Sequence, residues 1–295
     1  MKFKTFFSLF FLAFFIFFFF APRKAQAANQ TITEKLVQQI EIIKHEISVF
    51  QSLISNLKVE RGIGAKSYLA VNLSDDSVIL EKNPNQSYPL ASITKLMSAV
   101  VSLENIDKNQ TITLTEKMLE SSGQSPSLFA GLNISLENLL KASLIQSAND
   151  ASESLSYFVG KEKFIELMNQ KAKELNMANT VFYDAHGLNP ANCSTASDIV
   201  KLLSYIFENH PEILSITKEN NFWLPDSTGT LRKFQNINNF YPLSEFVGGK
   251  TGYLPQVKQT LASIFNVNGQ QIAIVLLYSD NRQADTFAIL KKIRN

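Results

Sequence analysis

The 295-residue chain is 45% hydrophobic and 18% charged, with a net charge of +2, so it has length and apolar content for one large or two small packed domains. There is no basic stripe and no acidic tail, which argues against a nucleic-acid partner. The single cysteine, Cys193, excludes an internal disulfide; no cysteine–histidine pairing surrounds it, and it reads as a free loop thiol rather than a nucleophile.

Lys2 and Lys4 precede an almost unbroken apolar run over residues 6–21, dominated by phenylalanine, which reads as an export signal. The run reaches about 24 Å, short of the roughly 30 Å hydrocarbon core of a bilayer. Ala25-Gln26-Ala27 offers the small residues of a cleavage site, whereas Arg23 and Lys24 suit an uncleaved anchor. Residues 1–27 are therefore expected to be a signal peptide or membrane anchor. Either reading places the rest of the chain outside the cytoplasm, secreted, periplasmic or tethered to the outer membrane face.

Residues 28–60 form the second expected segment. Leu36, Ile40, Ile43, Ile47, Phe50, Ile54 and Leu57 alternate steps of four and three, a heptad seam free of glycine and proline. A coiled-coil stalk that makes a homo-oligomer and a single amphipathic helix both fit. Arg61-Gly62-Ile63-Gly64 breaks the pattern and opens a domain over 61–295.

That domain begins with a predicted hairpin, strands at 65–73 and 77–82 around Ser74-Asp75-Asp76. A helix follows from Ser92 to about Leu103. Helical spacing then recurs at 136–145, 148–158, 162–175 and 194–208, the last ended by His210-Pro211. Strands return at 246–253, 259–266 and 271–279, with Asn268-Gly269 as a hairpin turn, and a helix closes the chain at 283–293. The expected class is α+β: one antiparallel sheet from the N- and C-terminal strands, a helical lobe from the middle, and a cleft between them.

Three short motifs lie in order across the domain: Ser92-Ile93-Thr94-Lys95, Ser147-Ala148-Asn149 and Lys250-Thr251-Gly252. Ser92 and Lys95, three apart at a helix start, share one face. A serine hydroxyl needs a base to become a nucleophile, and a lysine serves only when its pKa falls through desolvation or a second cation such as Lys250. Ser-x-x-Lys alone is weak, because Ser55–Lys58 and Ser215–Lys218 repeat it, and Ser279-Asp280-Asn281 mimics the second motif. Order and context select the set at 92, 147 and 250, since Lys250-Thr251-Gly252 occurs once, in a glycine-flanked strand.

These motifs resemble the Ser-x-x-Lys, Ser-Asp-Asn and Lys-Thr-Gly set of penicillin-binding proteins and class A β-lactamases, with the serine and asparagine of the second kept but not its aspartate. Beyond them, Glu81-Lys82-Asn83-Pro84, Pro89-Leu90-Ala91-Ser92, Gln146–Ala151, Asn179-Thr180-Val181-Phe182, His186-Gly187-Leu188, Ser194–Asp198 and Gly249–Tyr253 follow at matching spacing. From about residue 65 to 293 the chain resembles the D-alanyl-D-alanine carboxypeptidases, the low-molecular-mass penicillin-binding proteins of the DD-peptidase/β-lactamase superfamily. The resemblance implies that Ser92 is acylated, Lys95 accepts its proton and Ser147 relays a proton to the leaving amine. It implies further that Asn149 holds the peptide backbone and Lys95, that Lys250 and Thr251 grip the terminal carboxylate, and that the backbone N–H groups of Ser92 and Tyr253 form the oxyanion hole beside Gly252.

The implied partners are peptidoglycan stem peptides, with β-lactams as acylating inhibitors and contact with the membrane only through the N-terminus. No cofactor is implied. No metal is expected, since His45, His186 and His210 lack ligand spacing. Four departures stand out: Ala148 where glycine is commoner, Leu254-Pro255-Gln256 after Tyr253, a chain that stops after one helix without the β-rich domain and tail of many relatives, and the heptad helix. A DD-endopeptidase on crosslinked peptidoglycan, a β-lactamase and a non-catalytic cell-wall sensor are the alternatives. Glu166 and Asn169, the faint β-lactamase signal, read as a solvated helix face.

Overall fold

A computed structural model describes residues 36–49, 62–121, 125 and 127–295. They fall in two compact units, divided between Gln51 and Ser52. In the first, helix α1 spans residues 36–49. Leu36, Ile40, Ile43 and Ile47 are each about half exposed along it. Phe50, Ile54 and Leu57 of the seam lie outside the described residues, as does the apolar run at 6–21.

The second unit is built on a five-stranded sheet in the order β2-β1-β11-β10-β9, with every pair antiparallel. The strands are β1 (Ser67–Asn72), β2 (Ser77–Lys82), β9 (Phe246–Leu254), β10 (Lys258–Val267) and β11 (Gln270–Ser279). The two ends of the second unit thus share one sheet, as the distribution of strand patterns predicts. The turns are legible too: Asn268 and Gly269 both take positive φ, 53° and 83°, as a tight two-residue hairpin requires. Asp75 Oδ1 accepts from Ser77 N at 3.0 Å to cap the first hairpin.

Both faces of the central strands are covered, which explains why β11 reads as a continuous apolar run rather than an alternation. Ala273, Val275 and Leu277 join the main core, which includes Ile199, Leu202 and Ile206 of α6 (Ala196–Asn209). Outside that core, Phe265 stacks edge-on to Phe240 at 5.7 Å, and Phe240 meets Phe287 of α8 (Arg282–Arg294) at 5.8 Å.

The helical lobe comprises α2 (Thr94–Asn105), α3 (Leu136–Ile145), α4 (Asn149–Ser156) and α5 (Lys161–Glu174), with α6. Ser135 and Thr195 cap α3 and α6 by accepting from Asn138 N and Asp198 N, the local signal that starts a helix.

His210-Pro211 ends α6 at Asn209, as the sequence predicts, but not the helical region. It turns the chain into α7 (Pro211–Lys218), with Pro211 in the first helical turn, where a missing N–H costs nothing. A hairpin of β7 (Asn221–Pro225) and β8 (Leu231–Gln235) follows. Two further ribbons pair β3 (Tyr88–Pro89) with β6 (Cys193–Ser194), and β4 (Thr111–Thr113) with β5 (Asn133–Ser135). Helix α7 lies hard against β9: a Cβ on Gly248 would fall 2.6 Å from Leu214 Cα.

Candidate active site

A cleft of about 310 Å³ opens beside β9, which lies at the edge of the sheet. Its walls include Ser92, Ser147, Asn149, Thr251, Gly252 and Tyr253, together with Ser125, Ile237 and Arg282. Six of the eight predicted site residues therefore line the cleft; Lys95 is hydrogen-bonded to two of them, Ser92 and Asn149, and Lys250 is 1% exposed, its Nζ donating to Thr251 O at 3.0 Å.

Ser92 sits in a single 3₁₀ turn, Ala91–Ile93, that leads into α2. The turn is pinned from two sides: Leu90 N donates to Asn192 O at 2.8 Å, and Thr260 Oγ1 of β10 donates to Leu90 O at 3.1 Å. Ala91 takes φ 50° and Ser147 φ 62°, sparsely populated values for residues with a Cβ, and such strain collects at functional sites. Gly252 permits the close approach of strand and turn. A Cβ there would lie 2.5 Å from Thr260 Oγ1 and 2.9 Å from Ser92 N.

Lys95 is wholly buried. Its Nζ donates to Ser92 Oγ at 3.0 Å, Asn149 Oδ1 at 2.7 Å and His186 O at 2.6 Å. Burial brings its pKa down to about 7, against the opposing pull of Asp184 and Asp150. The sequence pointed to Lys250 as a second cation acting on Lys95. Burial is the main cause of the fall at Lys95; the pKa of Lys250 falls well below the ordinary lysine range, through its own burial first and then the charges of Lys95 and Arg282, a repulsion that two neighbouring amines share. A lysine near neutrality on a serine hydroxyl is an amine able to take that proton.

Several contributors escape motif reading. Asp184 accepts from the backbone of His186, Gly187 and Asn189 at 3.0, 2.5 and 2.6 Å and from Asn192 Nδ2 at 2.8 Å, folding the loop that presents His186 O to Lys95. Arg282 donates to Gly252 O at 2.8 Å and brings a cation to the cleft. Its position at the start of α8, thirty residues from the third motif, gave no sequence signal. Asp184 lies two residues before the His186-Gly187-Leu188 stretch, the one clue available.

The decoys have other work. Thr217 of Ser215–Lys218 accepts from Gly249 N at 2.9 Å, tying α7 to β9. Ser279 donates to Asp285 and Asn281 caps α8 by accepting from Ala284 N. Ser55–Lys58 lies outside the described residues. Glu166 is exposed and paired with Lys163. Asn169 is not a solvated residue: it accepts from Phe182 N and donates to Phe182 O, clamping the strand-like segment before Asp184. Burial raises the Cys193 thiol pKa, the opposite of what a nucleophile needs.

A buried lysine on a serine hydroxyl, in a cleft between an antiparallel sheet and a helical lobe, defines an acyl-serine enzyme of the penicillin-binding type. The D-alanyl-D-alanine carboxypeptidase family model, peptidase family S11, matches residues 55–281, and the chain belongs to that family. It is 32% identical over 228 residues to a D-alanyl-D-alanine endopeptidase of Escherichia coli K12, covering 73% of this chain and 71% of that one. It is 30% identical to the carboxypeptidase DacF of Bacillus subtilis 168, covering 72% of this chain and 57% of that protein. The crystal structure of a D-alanyl-D-alanine carboxypeptidase from Mycobacterium tuberculosis H37Rv shares the fold, with a TM-score of 0.74 at 23% identity, over 79% of this chain and 91% of that one.

Proposed function

We propose that the protein removes the terminal D-alanine from peptidoglycan stem peptides through an ester on Ser92. The observation that carries this is Lys95, wholly buried, with a pKa near 7 and its amine 3.0 Å from Ser92 Oγ.

Neutral Lys95 takes the Ser92 proton as Oγ attacks the carbonyl between the two D-alanines. The backbone N–H groups of Ser92 and Tyr253 stabilise the oxyanion. Ser147 relays the proton to the departing amine, the C–N bond breaks and free D-alanine leaves. Water then cleaves the ester, returning Ser92 and the shortened peptide. Asn149 holds Lys95 and the peptide backbone. Thr251 meets the terminal carboxylate, with Lys250 behind it and the guanidinium of Arg282 bringing positive charge to the same wall. The edge position of β9 suits pairing with an extended peptide. β-Lactams acylate the same serine.

Mass spectrometry of digests of a pentapeptide ending in D-Ala-D-Ala tests the reading: one D-alanine is released by the parent and none by Ser92→Ala. Full release by folded Ser92→Ala contradicts it. The E. coli relative bears the name endopeptidase, which favours a second reading in which the amine displaced from the attacked carbonyl by Ser92 belongs to a crosslinked neighbour. A crosslinked dimer split while the pentapeptide stays intact selects that activity.

A peptidoglycan substrate places the enzyme outside the cytoplasm. Residues 1–27 serve as its signal or anchor, and N-terminal sequencing of the exported protein decides between them: a start at Ala28 means cleavage, an intact Met1 means an anchor. Residues 28–60 serve as a stalk, and the half-exposed Leu36, Ile40, Ile43 and Ile47 support its pairing with a second copy. Sedimentation equilibrium distinguishes dimer from monomer.

A further inference from the structure

Near Lys95 lies a charge pair that the acylation steps do not use, a buried Glu153 with an exposed Lys161. Glu153 is 5% exposed. Its Oε1 accepts from Lys161 Nζ at 2.6 Å, and its Oε2 is buried with no hydrogen-bond partner. That oxygen lies 3.5 Å from His186 Nε2, longer than a good hydrogen bond. On the other side of the ring, His186 Nδ1 accepts from Leu188 N at 3.2 Å. A neutral ring that accepts at Nδ1 must carry its proton on Nε2, so the N–H faces the unpartnered Glu153 oxygen.

The register of α4 gives this pair its meaning. Asn149 and Glu153 are four apart on that helix and so share a face. Asn149 Oδ1 accepts from Lys95 directly, and Glu153 faces His186, whose carbonyl accepts from Lys95 at 2.6 Å. One helix face therefore reaches two of the three acceptors around the lysine amine.

We propose that Glu153 is a positioning residue for the reaction, holding the His186 ring so that the carbonyl of the same residue fixes Lys95 against Ser92. It acts through His186 and touches no reacting atom. The inference rests on the reading of Lys95 as proton acceptor.

The charged groups facing the His186 ring are Asp184, Lys95, Glu153 and Lys161. Burial pulls the imidazole pKa below its ordinary value, with Asp184 and Glu153 opposing. The neutral tautomer thus persists to lower pH than in a free imidazole. Protonation would put a second proton on Nδ1, where it meets the Leu188 N–H at 3.2 Å and Asp184 Oδ2 at 3.4 Å, so it would cost the Leu188 hydrogen bond and draw the ring toward Asp184.

The test is the second-order rate of Ser92 acylation by benzylpenicillin, followed by intact mass from pH 5 to 9, in the full chain. Glu153→Gln is expected to slow acylation about tenfold or more, the scale set by small misplacements of a catalytic group. Removal of its negative charge also shifts the acid limb of the profile to lower pH. In a His186→Gln background the same change adds nothing further, because both act on one link. A folded Glu153→Gln with the parent's rate and profile overturns the proposal, as do additive losses in the double variant. If Glu153→Gln does not fold, Lys161→Met tests the link from a side chain 46% exposed: a several-fold loss is expected, and the parent's rate overturns it. Absence of any adduct in the parent defeats instead the assignment of Ser92 and Lys95.

Discussion

Lys95 turns on one competition. Burial of the amine disfavours its charged form, Asp184 and Asp150 favour it, and burial prevails to leave a pKa of about 7. Because the base must be neutral, acylation by benzylpenicillin is expected to be flat above about pH 8 and to fall about tenfold per pH unit below 7. A pH–rate profile of the parent checks this, and a rate that stays flat down to pH 5 contradicts it. Lys95→Arg replaces the amine with a guanidinium that does not deprotonate, so acylation should drop at least about a thousandfold at every pH where the protein is folded, far beyond a lost hydrogen bond. Gly252→Ala addresses the nucleophile itself. The new methyl must displace Thr260 or the Ser92 turn, and a shift near 1 Å there lowers the acylation rate about a hundredfold while circular dichroism stays that of the parent.

Among the elements, α7 shows where sequence and structure part. Ser-Ile-Thr-Lys occurs at both 92 and 215, and only context separates them. At 215 the threonine is the useful residue: Thr217, 1% exposed, supplies the acceptor for Gly249 N beside Lys250. Thr217→Val keeps the shape and strands that N–H, so urea unfolding should show a loss of about 1–3 kcal/mol with an unchanged m value. Strands β1, β2, β9, β10 and β11 were legible because turn residues bound each apolar run. Helix α7 was not, because a proline read as a stop stands where a first helical turn accepts it. The β7–β8 hairpin was not, because Phe222, Leu224 and Phe234 are its buried face in a stretch whose exposed positions include Trp223 and Leu231, which blurs the alternation. The site motifs were readable as letters in order. Arg282, Asp184 and Glu153 were not, since what matters in them is burial and a partner distant in the chain.

The apolar interior of the second unit runs from the sheet through the helical lobe. Residues 52–295 are therefore expected to unfold in one transition and to be acylated within about twofold of the full chain's rate, since no site residue lies before Ser92. A fragment that is folded yet unreactive would assign the N-terminal segment a part in the site. Intact mass after mixing the protein with benzylpenicillin, beside Ser92→Ala, shows whether Ser92 is the acylated nucleophile. One long-lived adduct is expected on the parent and none on the variant. An adduct of equal yield on folded Ser92→Ala, or none on the folded parent, contradicts that assignment.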